Sequence, residues 1–393
     1  MKSLSQSPTD PEFVQNPYPF YERARTHGDL FHWQEYDMPC ALSYAAVNSI
    51  LRDRRFGREV PPEMAVTPPD HQSGFWAIEN HSMLELEPPR HTRLRGLVLR
   101  AFTSRRIAAL QPEIAALAHQ LIDQLPEGDF NLIEHFAEPL PVIIIARFLG
   151  VPEERAPDLL AWSHAIVGMY KAGRTKEDEI AASDAGKEFA AFLREYISYR
   201  RDKPEDDLIT HLIAAEEDGE KLSTDELIAT CVLLLNAGHE ATVHTLGNGL
   251  KALLENKYSG EQASPENVEN TVEEILRYDP PLHMFTRYAY EDIEVGDHVF
   301  KRGDQVACLL AAANRDPSRW ENPAEFIPQR PKQVNASFGA GAHFCIGAPL
   351  GRLELQTSLP ILFERLPNLA LAETPEYASI YHFRGLKRLM LSR

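Results

Sequence analysis

From about Arg90 to Tyr278 apolar residues recur at three- and four-residue intervals, in segments such as HTRLRGLVLRAFT, RRIAALQPEIAALAHQLIDQL and DAGKEFAAFLREYISYRRD. That period is the helical one, so the pattern predicts a long helical body. Turn-forming stretches (PEGD, VPEER, RDKPEDD and NKYSGEQASPEN) divide it into successive helices. None is long enough to act as a linker between domains, so one domain over residues 1–393 is expected.

The run LIATCVLLLNAGHEATVHTLGNGL, Leu227 to Leu250, is too apolar for a surface helix and carries a glycine and polar residues at its middle. It predicts a buried helix with a local distortion. Strand character lies near the two ends of the chain instead, in DLFHWQEYDMPCALS, RYAYEDIEVGDHVFKRGDQVACLL and the closing YHFRGLKRLMLSR. A minor sheet assembled from distant segments follows, and the fold class is mainly α with a minor β region (α+β). Between these, RDPSRWENPAEFIPQRPK reads as an irregular stretch leading to Cys345.

Composition narrows the function more than the fold. A net charge of -18 repels phosphate backbones, so nucleic acid is not an expected partner. No run reaches the roughly 20 apolar residues that span a bilayer, and the first residues lack a signal-like apolar core. No membrane association, a cytoplasmic location and a monomer are expected. The four cysteines, Cys40, Cys231, Cys308 and Cys345, form no CxxC pair, which suits neither a disulfide framework nor a zinc knuckle. Cys40, Cys231 and Cys308 sit in apolar surroundings and read as small buried hydrophobes.

Cys345 differs. In FGAGAHFCIGAPLGRLELQ, Gly339 and Gly341 remove side chains where backbone must bend or approach a flat ligand. Pro349 suits the first turn of a helix continuing as LGRLELQ, which places the sulfur beside a helix amino terminus. Amides and the positive dipole end there favour thiolate, the ligand that promotes O–O cleavage at iron. A buried cysteine in a glycine-rich turn is the plain alternative, and a zinc site at His343 and Cys345 lacks two further ligands nearby.

Phe338, Gly339, Gly341, His343, Cys345 and Gly347 resemble the cytochrome P450 haem-binding signature, FxxGxxxCxG with a basic residue two before the cysteine. Three further motifs follow the same family order. Glu274 and Arg277 of EEILRYDPP share a helical face and resemble the family's structural ion pair, with Arg330 the implied third partner. His91 and Arg95 of PPRHTRLR, also on one helical face, are similar to the haem-propionate ligands, joined by Arg287 and His343. Ala237, Gly238, His239 and Glu240 resemble the A-G-x-acid groove of the helix crossing the distal haem face, but Ala241 stands where the alcohol is expected and Thr242 follows.

The resemblance implies a cytochrome P450 fold, with haem b held by Cys345, His91, Arg95, Arg287, His343, Phe338, Gly339 and Gly347. It implies a monooxygenase using dioxygen and two electrons to hydroxylate a small hydrophobic molecule. With no reductase domain in the sequence, a separate ferredoxin-type donor is expected, with Arg100, Arg105, Arg106 and Arg352 as a candidate basic docking patch. Glu240, Thr242 and Ala241 are the candidate catalytic positions. A helix turns about 100° per residue, so Thr242 cannot simply replace the missing alcohol. Backbone-held water, a bulge turning Thr242 inward, or a substrate hydroxyl would each supply the proton path. Phe75, Trp76, Ile78, Leu234, Ala237, His283, Phe285 and Tyr381 are the candidate substrate contacts, with His283 as polar anchor. Two other readings stay open: a peroxide-driven peroxygenase and a haem-bearing ligand-binding module without turnover.

Overall fold

The apolar run at 227–250 lies inside one helix, Thr224–Glu255, in a computed structural model that describes every residue except Ala172 and Asp218. At 32 residues the helix is about 48 Å long at 1.5 Å per residue. Its start is fixed by a capping box: the Ser223 hydroxyl accepts from the Glu226 N–H at 3.2 Å, and the Glu226 carboxylate accepts from the Ser223 N–H at 2.8 Å. The expected distortion is absent, since the helix continues unbroken past Gly238. Thr242 and Thr245 donate back to the carbonyls of Gly238 and Ala241 at 3.2 and 2.6 Å, within the helix.

Around this helix pack Pro139–Leu149, Ala156–Val167 and Lys176–Asp202, together with Val268–Tyr278 and Ala348–Arg365. The segment RRIAALQPEIAALAHQLIDQL is broken at Leu110 into Ser104–Ala109 and Gln111–Asp123. Pro112 sits in the first turn of the second, where its missing N–H costs nothing. Long apolar side chains from all these helices form one large core.

The main sheet has six strands in the order Lys2–Leu4, Leu30–Trp33, Met38–Ala41, Gln305–Leu309, Met284–Ala289 and Phe56–Gly57. It therefore joins the two ends of the chain, with Ala307 and Cys308 beside Cys40 and Ala41 in parallel register. Side chains alternate across it. Cys40, Ala307 and Leu309 face one core with Phe13, Trp33 and Tyr381, whereas Ala41, Val306 and Cys308 face another with Ile50 and Phe300. A smaller sheet pairs the closing strand Met390–Ser392 with Ala370–Leu371 and Phe130–Asn131. Among the described residues no helix is long and apolar enough to cross a membrane.

Candidate functional site

Cys40, Cys231 and Cys308 are wholly buried, and burial pushes their thiols up, to about 12 for Cys231 and Cys308. They are inert core residues. Cys345 alone is partly open. Burial raises its thiol as well, but the N–H groups of Gly347 and Ala348 and the charges of Arg95 and Arg352 oppose the shift. The helix that supplies those amides is Ala348–Arg365, with proline in its first turn.

The loop before Cys345 is held by glycines in the left-handed region. Gly341 has φ +70°, and a Cβ there would lie 2.2 Å from the Leu51 carbonyl oxygen; at Gly339, φ +67°, it would lie 3.2 Å from the Phe285 ring. Both positions exclude other side chains. At Gly347 a Cβ would stand 3.7 Å from the Cys345 sulfur, in ordinary contact with it.

The position of Cys345 is tied to the helix Val268–Tyr278 by a chain of bonds. Arg277 grips Glu274 through two parallel bonds of 2.7 Å, and both side chains are buried. Arg330 is 3.2 Å from the same carboxylate, as the expected third partner. Arg277 also donates to the carbonyls of Asn314, Pro323 and Glu325 at 2.8–3.0 Å. The Asn314 side chain in turn bonds the Ala336 N–H and the Ser337 hydroxyl. Gly339 N–H donates to Ala336 and Cys345 N–H to Phe338, at 2.8 and 3.0 Å. Burial makes this bidentate pair costly to break, so it fixes the loop.

Cationic and imidazole groups gather beside the loop. His91 and His343 have ring centroids 4.3 Å apart, and Arg95 donates to the Phe344 carbonyl at 2.6 Å. Burial, reinforced by His343, pushes His91 down to about 4, so it is neutral at pH 7. Arg287 is buried, yet the hydrogen bond it makes is to the carbonyl of its neighbour Thr286. Burial and the adjacent Arg58 push it down to about 10. A buried guanidinium so weakly compensated is matched to an anionic group, as a porphyrin carboxylate would be. Glu87, 2.8 Å from His343 and hydrogen-bonded to the Arg58 N–H, orients this set. Sequence reasoning missed Glu87 and Arg58; the acid four residues before His91 was the available signal.

The central helix shows one open stripe. Ala237 is exposed and Leu233, Asn236, Gly238, Ala241 and His244 are half-buried, in a helix otherwise buried through its middle. Positions 233, 237, 241 and 244 share a face. Ala241 is therefore on the stripe and Thr242 is off it. The Thr242 hydroxyl is instead 3.3 Å from Glu354 on the helix Ala348–Arg365, and a Cβ on Gly351 would lie 3.7 Å from it. The bulge that would have turned Thr242 inward is not formed, and Thr242 is corrected from a catalytic candidate to a packing contact. Glu240 is turned toward three histidines: His164 and His239 lie 3.3 and 3.4 Å from one carboxylate oxygen and His244 lies 3.7 Å from the other.

The substrate candidates divide. Ala237 is open, and Trp76 and Phe285 are half-buried, but Phe75, Ile78 and Leu234 are core residues. His283 is not an anchor: it is fully buried, 3.0 Å from the Tyr21 hydroxyl and 3.8 Å from Asp279, which also binds Tyr18, Tyr377 and Arg384. Tyr381 belongs to the same network through a 2.8 Å bond to Tyr21. The supposed basic patch is also partly spent. Arg352 pairs with Glu273 and lies over the Phe338 ring, and Arg106 pairs with Asp206.

A cysteine loop with glycines in the left-handed region, a buried guanidinium and imidazoles beside it, and an open stripe on the central helix fit a haem-thiolate protein, and the residues present fit the porphyrin. The Cytochrome P450 family profile matches residues 20–367, and the chain belongs to that family. It is 34% identical to the putative cytochrome P450 YjiB of Bacillus subtilis, over 95% of this chain and 92% of that protein. It is 35% identical to the cytochrome P450 monooxygenase PikC of Streptomyces venezuelae, over 96% and 91%. Its fold matches P450BioI in complex with an acyl carrier protein ligated to hexadec-9Z-enoic acid, with TM-score 0.90 at 34% identity over 97% of this chain and 99% of that one. The protein is a cytochrome P450 monooxygenase, mainly α with a small sheet, and its cofactor is haem b.

Proposed function

We propose that the chain is a single haem domain that hydroxylates a largely hydrophobic organic molecule with electrons from a separate ferredoxin-type protein. The observation that carries the substrate class is the largely apolar open stripe of Leu233, Ala237 and Ala241 on the central helix, with Asn236 and His244 as its polar members. Such a surface orients a C–H bond by contact area and supplies no charge to hold an ion. P450BioI, whose structure holds an acyl chain on its carrier, supports an acyl or similarly apolar substrate.

Bound haem supplies the iron at which dioxygen is reduced by two electrons, one oxygen atom going to the C–H bond and the other leaving as water with two protons. The protein provides the rest. The chain from Arg277 through Asn314 to Phe338 holds Cys345 in place. Arg287, Arg95, His91 and His343 hold the two carboxylates of the cofactor. Because Ala241 has no hydroxyl and Thr242 is turned away, Glu240 is the carboxylate of the groove motif available to carry protons, through water or a hydroxyl of the substrate, with His239 beside it. Burial pushes the Glu240 carboxyl up, but the three histidine rings outweigh it and hold the group ionised and able to accept a proton.

A ligand screen read by the change in haem spin state, followed by turnover with a ferredoxin and its reductase, tests this reading. Product dependent on the reductase supports it. Product with hydrogen peroxide alone, and none with the electron carrier, assigns the protein to the peroxygenases.

A further inference from the structure

Glu240 has more partners than proton delivery requires. His239 is fully buried, and its Nδ1 is 3.0 Å from the Leu235 carbonyl, which can only accept. Nδ1 therefore carries a hydrogen, and in the neutral form of the ring Nε2 presents a lone pair. Among the described residues that nitrogen has no hydrogen-bond partner, and neither has Glu240 Oε1, 3.4 Å away. With the ring neutral these are two buried acceptors 3.4 Å apart, an arrangement satisfied either by a proton on Nε2 or by a metal ion between them. His164, from the helix Ala156–Val167, brings its Nε2 to 3.3 Å from the same oxygen.

We propose that His164, His239 and Glu240 form a binding site for one divalent transition-metal ion of the Zn2+ type, placed beside the distal groove. The spacing suits it. Ligands about 2.0–2.1 Å from a tetrahedral ion stand about 3.3–3.4 Å from one another, which is the separation of the carboxylate oxygen from both imidazoles. All three ligand atoms lie within 4.8 Å of one another, and the exposed His164 ring is the one with room to close the remaining edge. Two imidazoles and a carboxylate are a donor set for Zn2+ and leave a fourth position open. The bond from His239 Nδ1 to a backbone carbonyl is the outer contact that fixes a ligating imidazole. His244, 3.7 Å from the second Glu240 oxygen, and the nearby Glu138 complete the polar surroundings.

The two adjacent residues of the central helix cannot make this site by themselves. His164 is brought in by the packing of a helix more than seventy residues earlier in the chain, so the site exists only in the folded protein. An ion bound here would take the Glu240 oxygen out of proton transfer. That consequence rests on the function proposed above; the site does not.

Calorimetric titration of the chelator-treated holoenzyme with zinc chloride tests it. One saturable Zn2+ per chain is expected, with His164→Ala weakening binding by at least the roughly 10–100-fold that outer-contact changes already cost. The variant's reduced carbon monoxide spectrum should stay that of a thiolate haem, showing that the fold survives; His164→Gln serves if it does not. No saturable binding, or equal affinity in the variant, overturns the site. Turnover measured with and without Zn2+ separates the two claims. Loss of turnover in the wild type but not in the variant supports both, whereas binding that leaves turnover unchanged keeps the site and refutes the role of Glu240.

Discussion

Replacing Arg277 by methionine removes one half of a buried ion pair while keeping the length and apolar volume of the stem. Glu274 then keeps Arg330 at 3.2 Å and the Ile327 N–H at 2.7 Å, the carbonyls of Asn314 and Pro323 lose the Arg277 donor, and the Glu325 carbonyl keeps Arg330 at 3.3 Å. Breaking a buried pair from one side costs about 3–5 kcal/mol. The surviving contact with Arg330 argues for the lower end, about 3 kcal/mol, or roughly 100-fold in the folding equilibrium. Because Asn314, whose carbonyl Arg277 holds, anchors Ala336 and Ser337 through its side chain, the loop holding Cys345 loosens with it, and the purified protein should contain less haem. Chemical denaturation and the pyridine haemochromogen assay measure the two effects. The double variant Arg277→Met with Glu274→Leu should lose less than Arg277→Met alone, since it strands no charge. A loss in Arg277→Met below about 1 kcal/mol, the range of an exposed pair, with full haem content would refute the reasoning.

Cys345→Ser should abolish the red-shifted Soret band of the reduced carbon monoxide complex while the fold persists by circular dichroism. Glu354 is fully buried, and burial pushes its carboxyl up to about 8. A carboxyl raised above its unfolded value binds its proton more tightly in the folded state, so its contribution to stability is lost as pH rises from about 4.5 to about 8. Glu354→Gln should flatten that part of the pH–stability profile in thermal melts; an unchanged slope would count against a neutral Glu354. Arg287→Ala should lower haem affinity, measured by transfer of haem to apomyoglobin, because the buried cation is the matched partner of a carboxylate. Ala241→Thr places a hydroxyl on the open stripe, and product formed per electron should change little if Glu240 and the substrate already deliver protons. A large rise in coupling would sink that proton path.

The helical period of residues 90–278, the strands at both ends and the helix start near Pro349 were legible in the chain because they depend on local geometry. The residues around Cys345 were legible for the same reason: glycines, a proline and a thiol within one short loop set their own backbone and their own chemistry. Glu274 and Arg277 could be paired from sequence because they are three apart on one helix. What they grip, the carbonyls between Asn314 and Glu325, depended on a path through space.

The misjudged residues share a cause. His283 and Tyr381 looked like polar and aromatic contacts for a ligand, yet the tertiary fold closed them inside a network around Asp279 that draws on residues from Tyr18 to Arg384. Thr242 was correctly separated from the alcohol position by the turn of the helix, but only the packing of the helix Ala348–Arg365 decided that it faces Glu354. The expected distortion at Gly238 did not form: the helix Thr224–Glu255 runs through it unbroken, with Ile145 packed close to the glycine. The sequence alone determined which residue can bind the iron, since that chemistry sits in one loop. The surroundings of Glu240, on which the proposed proton path and metal site rest, were decided by the fold, because burial and ligand convergence are properties of groups that meet only when distant helices pack.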